Sequence, residues 1–339
     1  MKIFYDPRMC ADVASFSRSS AKPRHFFAAA MCDHAGAVTQ EGFEPVSLDD
    51  FRAAHDPAHV DAVWSLQTAN GFGTADAALN ESLRWTSGSM VAAALEAART
   101  RDICCSPTSG FHHAGRAYSE GYCTFNGLVL AAQAVRAEQP DARVVILDCD
   151  MHYGDGTEDI RQALGLDWLT HLTAGRDFQE DARERDFMRW LDDCIRRINQ
   201  AAPAVVLYQA GADAHVDDPL GGYLSTAGMA HRDAQVFCDL DADIGIAWNL
   251  AGGYQKRVGD TNPVIELHLE TLRQALNARR SRALCQWRRA IGWSTAALAD
   301  ALDVAEGAIQ RWEAGDLSPH ALGPLQALAT RMGRPLALD

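Results

Sequence analysis

The stretch VVILDCDMHYGDGT, Val144 to Thr157, opens with four apolar residues and then sets three acids, one histidine and two glycines within nine positions. A continuous apolar run suits a strand covered on both faces, as in a parallel sheet with helical crossovers. In open parallel sheets ligands gather beyond the carboxyl ends of the strands, and the acids fall at such an end. Asp148, Asp150 and His152 are spaced by two and would share a face if the strand continued. An Asp-x-His pair leaving a strand offers a divalent metal a carboxylate oxygen and an imidazole nitrogen, closely held. The same acids also suit the start of the next helix, with Thr157 the best-placed cap.

Working outward, the first 280 residues alternate strand-like runs with alanine-rich helical stretches. Helices are expected at 89–100, 124–139, 157–164 and 184–200, and strands at DICCSP, DWLTHLT and PAVVLYQ. This pattern predicts an α/β fold with a single parallel sheet flanked by helices. After Ala278 the strands stop. Leu284, Trp287 and Ile291, then Leu298 and Leu302, then Ile309 and Trp312, mark short amphipathic helices. The expected organisation is a catalytic domain over 1–280 and a small all-α domain over 281–339.

Composition narrows the class. The chain has 339 residues, 47% of them hydrophobic, and a net charge of −14. That charge disfavours broad binding to nucleic acid or anionic membrane and favours cationic substrates. No basic segment leads an apolar one at the start, and no run approaches the roughly 18 apolar residues of a membrane span. Nine cysteines without a CxxC pair predict reduced thiols in a cytoplasmic protein.

Three further clusters accompany the opening stretch. SGFHHAGRAYSEGYCTFNG places His112 and His113 together in a glycine-bordered loop, each able to act as base or acid near neutral pH. GADAHVDDPLGGYLS follows the strand at Val205–Tyr208 and offers Asp213 as another ligand. WNLAGGYQ ends the last apolar run with a glycine pair beside Tyr254.

The order HH, DxDxHxGDGT, GADAHxxDPLG and GGY, with HDPAHV at 55–60 and GYCTFN, resembles the zinc-dependent histone deacetylase and acetylpolyamine amidohydrolase family over roughly residues 1–275. The resemblance implies the arginase-deacetylase fold and one Zn²⁺ per chain, held by Asp150, His152 and Asp213 with a position left for water and an amide carbonyl. It implies His113 as general base and His112 as its electrostatic partner, with Asp148 orienting His112 and Asp155 orienting His113. It implies Tyr254 as donor to the developing oxyanion, worth about 3 kcal/mol in comparable sites. The substrate would be a small acylated amine such as an acetylpolyamine, or acetyl-lysine. A dimanganese ureohydrolase of the arginase type would need further carboxylates two positions after His152 and Asp213. The residues there are Gly154 and His215, so one metal is expected.

Three departures from the family follow. Relatives carry a long loop before the strand AVVLYQ that supplies an aromatic wall of the substrate tunnel; here that segment is short and largely helical. Gly121 and Tyr122 remain for one side and Phe178 for the other, unless another loop or a second subunit of a homo-oligomer fills the gap. Relatives also bind K⁺ beneath the zinc, partly through a serine on the following strand, where this chain has Thr170-His171-Leu172; that puts a potassium site in doubt. The segment before the histidine pair, Ser109-Gly110-Phe111, lacks the arginine and proline of eukaryotic deacetylases, so a preference for histones is not carried over.

The segment WSTAALADALDVAEGAIQRWEAG resembles the helix-turn-helix of repressor-type regulators. Helices are expected at 295–302 and 305–313, with Asp303 in the left-handed turn position usually given to glycine. Such a domain implies DNA as a partner, met by Gln310 and Arg311 on the second helix and by Arg288 and Arg289 on the backbone. The segment is nearly neutral, which weakens the electrostatic part of DNA affinity. The alternative function is therefore a DNA-bound regulator whose deacetylase-like domain senses an acylated metabolite.

Overall fold

A computed structural model describes residues 1–11, 18–179, 181–259, 261–336 and 338. Seven strands form one sheet: β1 (Lys2–Ile3), β2 (Thr39–Gln40), β3 (Ile103–Ser106), β4 (Val144–Asp148), β5 (Leu169–Thr173), β6 (Val205–Gln209) and β7 (Gly245–Asn249). Their order is β2-β1-β3-β7-β6-β4-β5, and every pairing is parallel. The apolar runs that predicted two-sided burial form β4 and β6, each buried along its whole length. The strand ends are level. Ser106 pairs with Asn249, Asn249 with Gln209, Gln209 with Asp148 and Asp148 with Thr173. The sheet thus changes from apolar to polar along one buried row at its carboxyl edge, and the chemistry is built on that row.

Helices cover both faces: α1 (Lys22–Asp33), α2 (Leu48–Ala54), α3 (Pro57–Trp64), α4 (Ala77–Thr100), α5 (Gly127–Glu138), α6 (Asp155–Ala163), α7 (Glu184–Ala201), α8 (Thr226–Asp239) and α9 (Pro263–Ala290). Each face has its own apolar cluster, one around Phe26, Tyr208 and Trp248, the other around Phe51, Leu128 and Ile146. Helix α4 starts twelve residues before the expected position, capped by Asp76, whose carboxylate accepts from Leu79 N at 2.9 Å. Its first half holds Ser, Thr and Gly, poor helix formers whose preference is overridden by packing. Helix α5 begins later than expected because Asn126 caps it, accepting from Val129 N at 3.1 Å. Thr157 is not a cap. Gly154 occupies that position in α6, and Thr157 lies inside the helix with its hydroxyl accepting from Asn126 Nδ2 at 3.0 Å.

Residue 280, the expected domain boundary, lies inside α9, a continuous helix of 28 residues. Arg282 explains the continuity. Its buried guanidinium donates to the carbonyls of Leu240 at 2.9 Å and Ala242 at 3.2 Å, and to that of Ile244. Past it, Leu284 and Trp287 of the same helix enter a third apolar cluster with Leu298, Ile309, Leu325 and Leu328. That cluster belongs to α10 (Thr295–Leu302), α11 (Glu306–Glu313) and α12 (Pro319–Arg331). The expected helices at 295–302 and 305–313 correspond to α10 and α11, and Asp303 between them is left-handed at φ 54°. Among the described residues no helix is long and apolar enough to cross a membrane, and all nine cysteines are free.

Candidate active site

Asp148 ends β4 fully buried. Its Oδ2 lies 2.8 Å from His112 Nδ1, and its Oδ1 accepts from Gln209 Nε2 at 2.9 Å. Beyond Asp148 the chain leaves the sheet, so backbone donors rather than strand alternation place the next residues. Asp150 Oδ1 accepts from His152 N at 3.0 Å and Oδ2 from Gly252 N at 2.8 Å. Asp213, beyond the end of β6, accepts at Oδ1 from Met151 N at 3.2 Å. The result is a cluster in which His152 Nδ1 lies 3.2 Å from both Asp150 Oδ1 and Asp213 Oδ2. Candidate ligand atoms of all three residues lie within 4.8 Å of one another.

These residues fit zinc. Ligands about 2.0 Å from a tetrahedral ion stand about 3.3 Å apart, close to the separations here. The electrostatics agree. Burial and the charge of Asp150 push the Asp213 carboxyl up to about 7. Hydrogen bonds to Asp150 and Asp213 raise the His152 imidazole to about 10. Two buried carboxylates thus draw one positive charge to the point between them, and metal binding there would displace a proton. Gly252 is required by close approach, since a Cβ would collide with the Asp213 carboxylate and lie 2.7 Å from Asp150 Oδ2.

The histidine pair stands beside this cluster, the two rings 4.1 Å apart and His113 5.9 Å from His152. His113 Nδ1 lies 2.7 Å from Asp155 Oδ1 at the start of α6. A carboxylate on each Nδ1 leaves each Nε2 for other work. The two rings differ in charge preference. Burial disfavours the cation at His112, but Asp148 and Asp150 outweigh it and hold the imidazolium up to about 9. Burial and then the charge of His112 lower His113, which keeps it neutral and basic near pH 7. Gly121, left-handed at φ 55°, backs the His113 ring, where a Cβ would lie 2.5 Å from Cδ2.

Tyr122 is also left-handed, at φ 61°, and 41% exposed. A bulky residue there is an outlier that its surroundings must enforce. Its ring lies 6.1 Å from that of Tyr254 and 5.7 Å from Phe72. Tyr254 is held through its backbone N, which donates to Asp218 Oδ2 at 2.7 Å. Burial, followed by the charges of Asp213 and Asp150, pushes its phenol well above the usual range. It therefore remains a hydrogen-bond donor.

A cavity of about 880 Å³ opens over His113 and His152, with Glu120, Asp155, Asp181 and Leu220 among its walls. Phe178, expected to face Tyr122, packs instead with Phe187, Trp190 and Tyr223 under α7. Leu220 lines the cavity, and Phe72 packs on the Tyr122 side of the site. In the C-terminal segment Gln310 and Arg311 are exposed. Arg288, however, pairs with Glu313 at 2.5 Å, and Arg289 with Asp241 at 3.0 Å, so both arginines already have acidic partners within the chain.

Two supporting residues had no motif to announce them. Arg232 of α8 is wholly buried and donates to the carbonyls of Gly211 at 2.7 Å and Cys149 at 3.4 Å, just before the two ligand carboxylates. Its charge is met by Asp233 at 2.9 Å, which also accepts from Tyr208 and Thr271. Lys22 of α1 is buried with Nζ donating to Ala251 O at 2.5 Å. Burial lowers its ammonium to about 8, against the pull of Asp213 and Asp150.

The family model for the histone deacetylase domain matches residues 21–164 and 170–271. An uncharacterised protein of Picosynechococcus is 30% identical over 174 residues, 47% of this chain and 58% of that one. The acetylpolyamine amidohydrolase of Burkholderia pseudomallei is 30% identical over 164 residues, 40% of this chain and 47% of the relative. The chain thus spans about half the length of the curated relatives it matches. Among solved structures, the HD domain of HDA15 shares the fold with a TM-score of 0.65 at 20% identity, covering 81% of this chain and 91% of that domain. Acetylpolyamine aminohydrolase from B. pseudomallei does so with a TM-score of 0.60 at 19% identity, over 82% and 98%. The sheet, the order of the motifs and the matched residues together make this chain a member of the histone deacetylase domain family.

Proposed function

We propose that the protein is a zinc-dependent amidohydrolase that removes an acetyl or similar acyl group from an amine. The observation that carries this reading is the cluster of Asp150, His152 and Asp213 directly beside the His113–Asp155 pair. Zinc held by those three residues would supply a Lewis acid for the amide carbonyl and for water. The chain's own groups do the rest. Neutral His113, oriented by Asp155, takes the proton from the attacking water and returns it to the leaving amine. His112, held charged by Asp148, offers positive charge beside the reacting carbon. Tyr254 keeps its proton and donates to the oxygen on which charge develops.

Glu120, Asp155 and Asp181 on the cavity wall and the net charge of −14 favour an amine with a further positive charge, such as an acetylpolyamine. Acetyl-lysine in a peptide is the nearest competitor. The free cysteines favour a reducing compartment, the cytoplasm. The test is hydrolysis of a panel of acetylpolyamines and acetyl-lysine peptides by protein loaded with one zinc per chain. Activity greatest on the polycations is the expected outcome, and a panel left untouched would refute the reading.

A second reading, a DNA-bound regulator sensing an acylated metabolite, is favoured by the α10–Asp303–α11 geometry. Gln310 and Arg311 are its contacts to bases. With Arg288 and Arg289 both engaged internally, few cations remain for phosphates. Binding of the full chain to duplex DNA at low salt, falling as salt rises, would support it. No binding at low salt would remove it.

A further inference from the structure

His171 of β5 is 1% exposed at its side chain and lies behind the His112–Asp148 pair. Its Nε2 lies 3.7 Å from Asp148 Oδ2, the same oxygen that meets His112 Nδ1 at 2.8 Å. Its Nδ1 lies 3.5 Å from Glu158 Oε2, and Glu158 is in turn paired with Arg161 at 2.7 Å. Both ring nitrogens therefore face carboxylates, an arrangement complementary to the imidazolium, in which both nitrogens are donors. Nε2 makes no hydrogen bond among the described residues, so its link to Asp148 is one of charge rather than of a hydrogen bond. The space is filled. A Cβ on Gly154 would lie 2.6 Å from Asp148 Oδ2 and 3.0 Å from His171 Cε1 and Nε2.

A potassium ion behind Asp148, which Thr170-His171-Leu172 already put in doubt, does not fit this arrangement. A hard cation needs oxygen donors on all sides. Here the side chain pointing at Asp148 from β5 is an imidazole with no oxygen to give. Buried charge demands a partner, and Asp148 has two positive candidates, His112 before it and His171 behind it.

We propose that His171 is a positioning residue that stands as a fixed internal cation behind Asp148, so that the site works without a monovalent metal ion. Held between Glu158 and Asp148, the ring fixes the carboxylate that orients His112 and balances its charge, the task a bound cation would otherwise perform. Burial disfavours the charged ring, but Asp148 and Glu158 outweigh it and raise His171 above the ordinary range, in agreement with the geometry. The inference rests on reading His112 and Asp148 as parts of a hydrolytic site, and its first test does not need activity.

Thermal unfolding of the zinc-loaded protein is compared in KCl, NaCl and choline chloride at equal ionic strength. The wild type is expected to show one melting temperature in all three, a result that needs no variant. His171→Ser, which exchanges the ring for a hydroxyl and open space, is expected to melt lower and to be restored selectively by KCl. His171→Gln, close in size but uncharged, guards against failure of the serine variant to fold. On a hydrolysed acetylamine, Gln is expected to lower kcat about tenfold with KM unchanged, in the range for outer partners of catalytic imidazoles. KCl should recover part of that loss in the serine variant alone. Stabilisation of the wild type by KCl over choline chloride would overturn the proposal. So would a serine variant indifferent to the cation, or a glutamine variant with wild-type kcat. If no substrate is ever hydrolysed, the function proposed above fails, while the melting series still decides whether a cation is needed behind Asp148.

Discussion

Two regions of the molecule handle charge in opposite ways. At the carboxyl edge of the sheet, Asp148, Asp150 and Asp213 are all but completely buried, with His112 and His171 among them. In α10, α11 and α12 the charged groups lie at the surface or pair, as Glu313 does with Arg288 of α9. Burying an ionised group is costly unless it is paired and hydrogen-bonded. A cluster of three acids is therefore kept inside only where something positive completes it. Exposed charges carry no such implication, since water solvates them without a partner. The contrast explains why the first region supports a mechanism in detail and the second only a shape.

The sharpest break in that comparison is removal of the buried cluster's reason to exist. Asp213→Ala should abolish stoichiometric zinc binding, measured by metal analysis of the purified protein, and with it all hydrolysis. His113→Ala should keep the zinc but reduce kcat by about 10²- to 10⁴-fold, the usual contribution of a general base. Tyr254→Phe should cost about 10²- to 10³-fold in kcat with KM nearly unchanged, because its donor acts on charge present only in the transition state.

The pH profile sharpens the comparison further. His113 is lowered below the ordinary histidine range by burial and by His112. A lowered value means the base stays neutral as pH falls through about 6.5, the unperturbed figure. The acid limb of kcat/KM should therefore lie below that figure. A limb above it would show that His113 is not the base, or that His112 does not carry the charge given to it here.

The smallest effects belong to the helical region. Arg288→Ala, which strands Glu313, should lower stability by about 2 kcal/mol, as for hydrogen bonds to charged groups. It should be read as a shift in urea midpoint with hydrolysis unaltered. Gln310→Ala and Arg311→Ala should change stability by no more than about 0.5 kcal/mol. Any loss they cause in low-salt DNA binding would then be a surface effect rather than a folding one.

Much of the site was legible before the fold was known. Asp148, Asp150, His152 and Asp155 sit within eight positions of one another, and local spacing at a strand end restricts what such a group can do. The His112–Asp148 and His113–Asp155 pairs, which the resemblance implied, join residues 36 and 42 positions apart and stand at 2.8 Å and 2.7 Å. The differences from expectation came where side chains met partners remote in sequence. Phe178 turned into an aromatic cluster with residues of α7 and with Tyr223. Arg288 and Arg289 found acids 25 and 48 positions away. Nothing near Arg232 hinted that its guanidinium would bind the carbonyls preceding both ligand carboxylates.

The sequence by itself determined the alternation of strand and helix and the strand end on which the acids gather. These follow from local patterns, because backbone preference and hydrophobic period act over a few residues. Only the tertiary structure decided where Phe178 packs, that one helix crosses residue 280, and that His171 turns toward Asp148. Those outcomes depend on where separate strands lie side by side. The parallel register that sets Asp148 opposite Thr173 and Gln209 brings β5 and β6 against β4, and no local pattern in the chain encodes that neighbourhood.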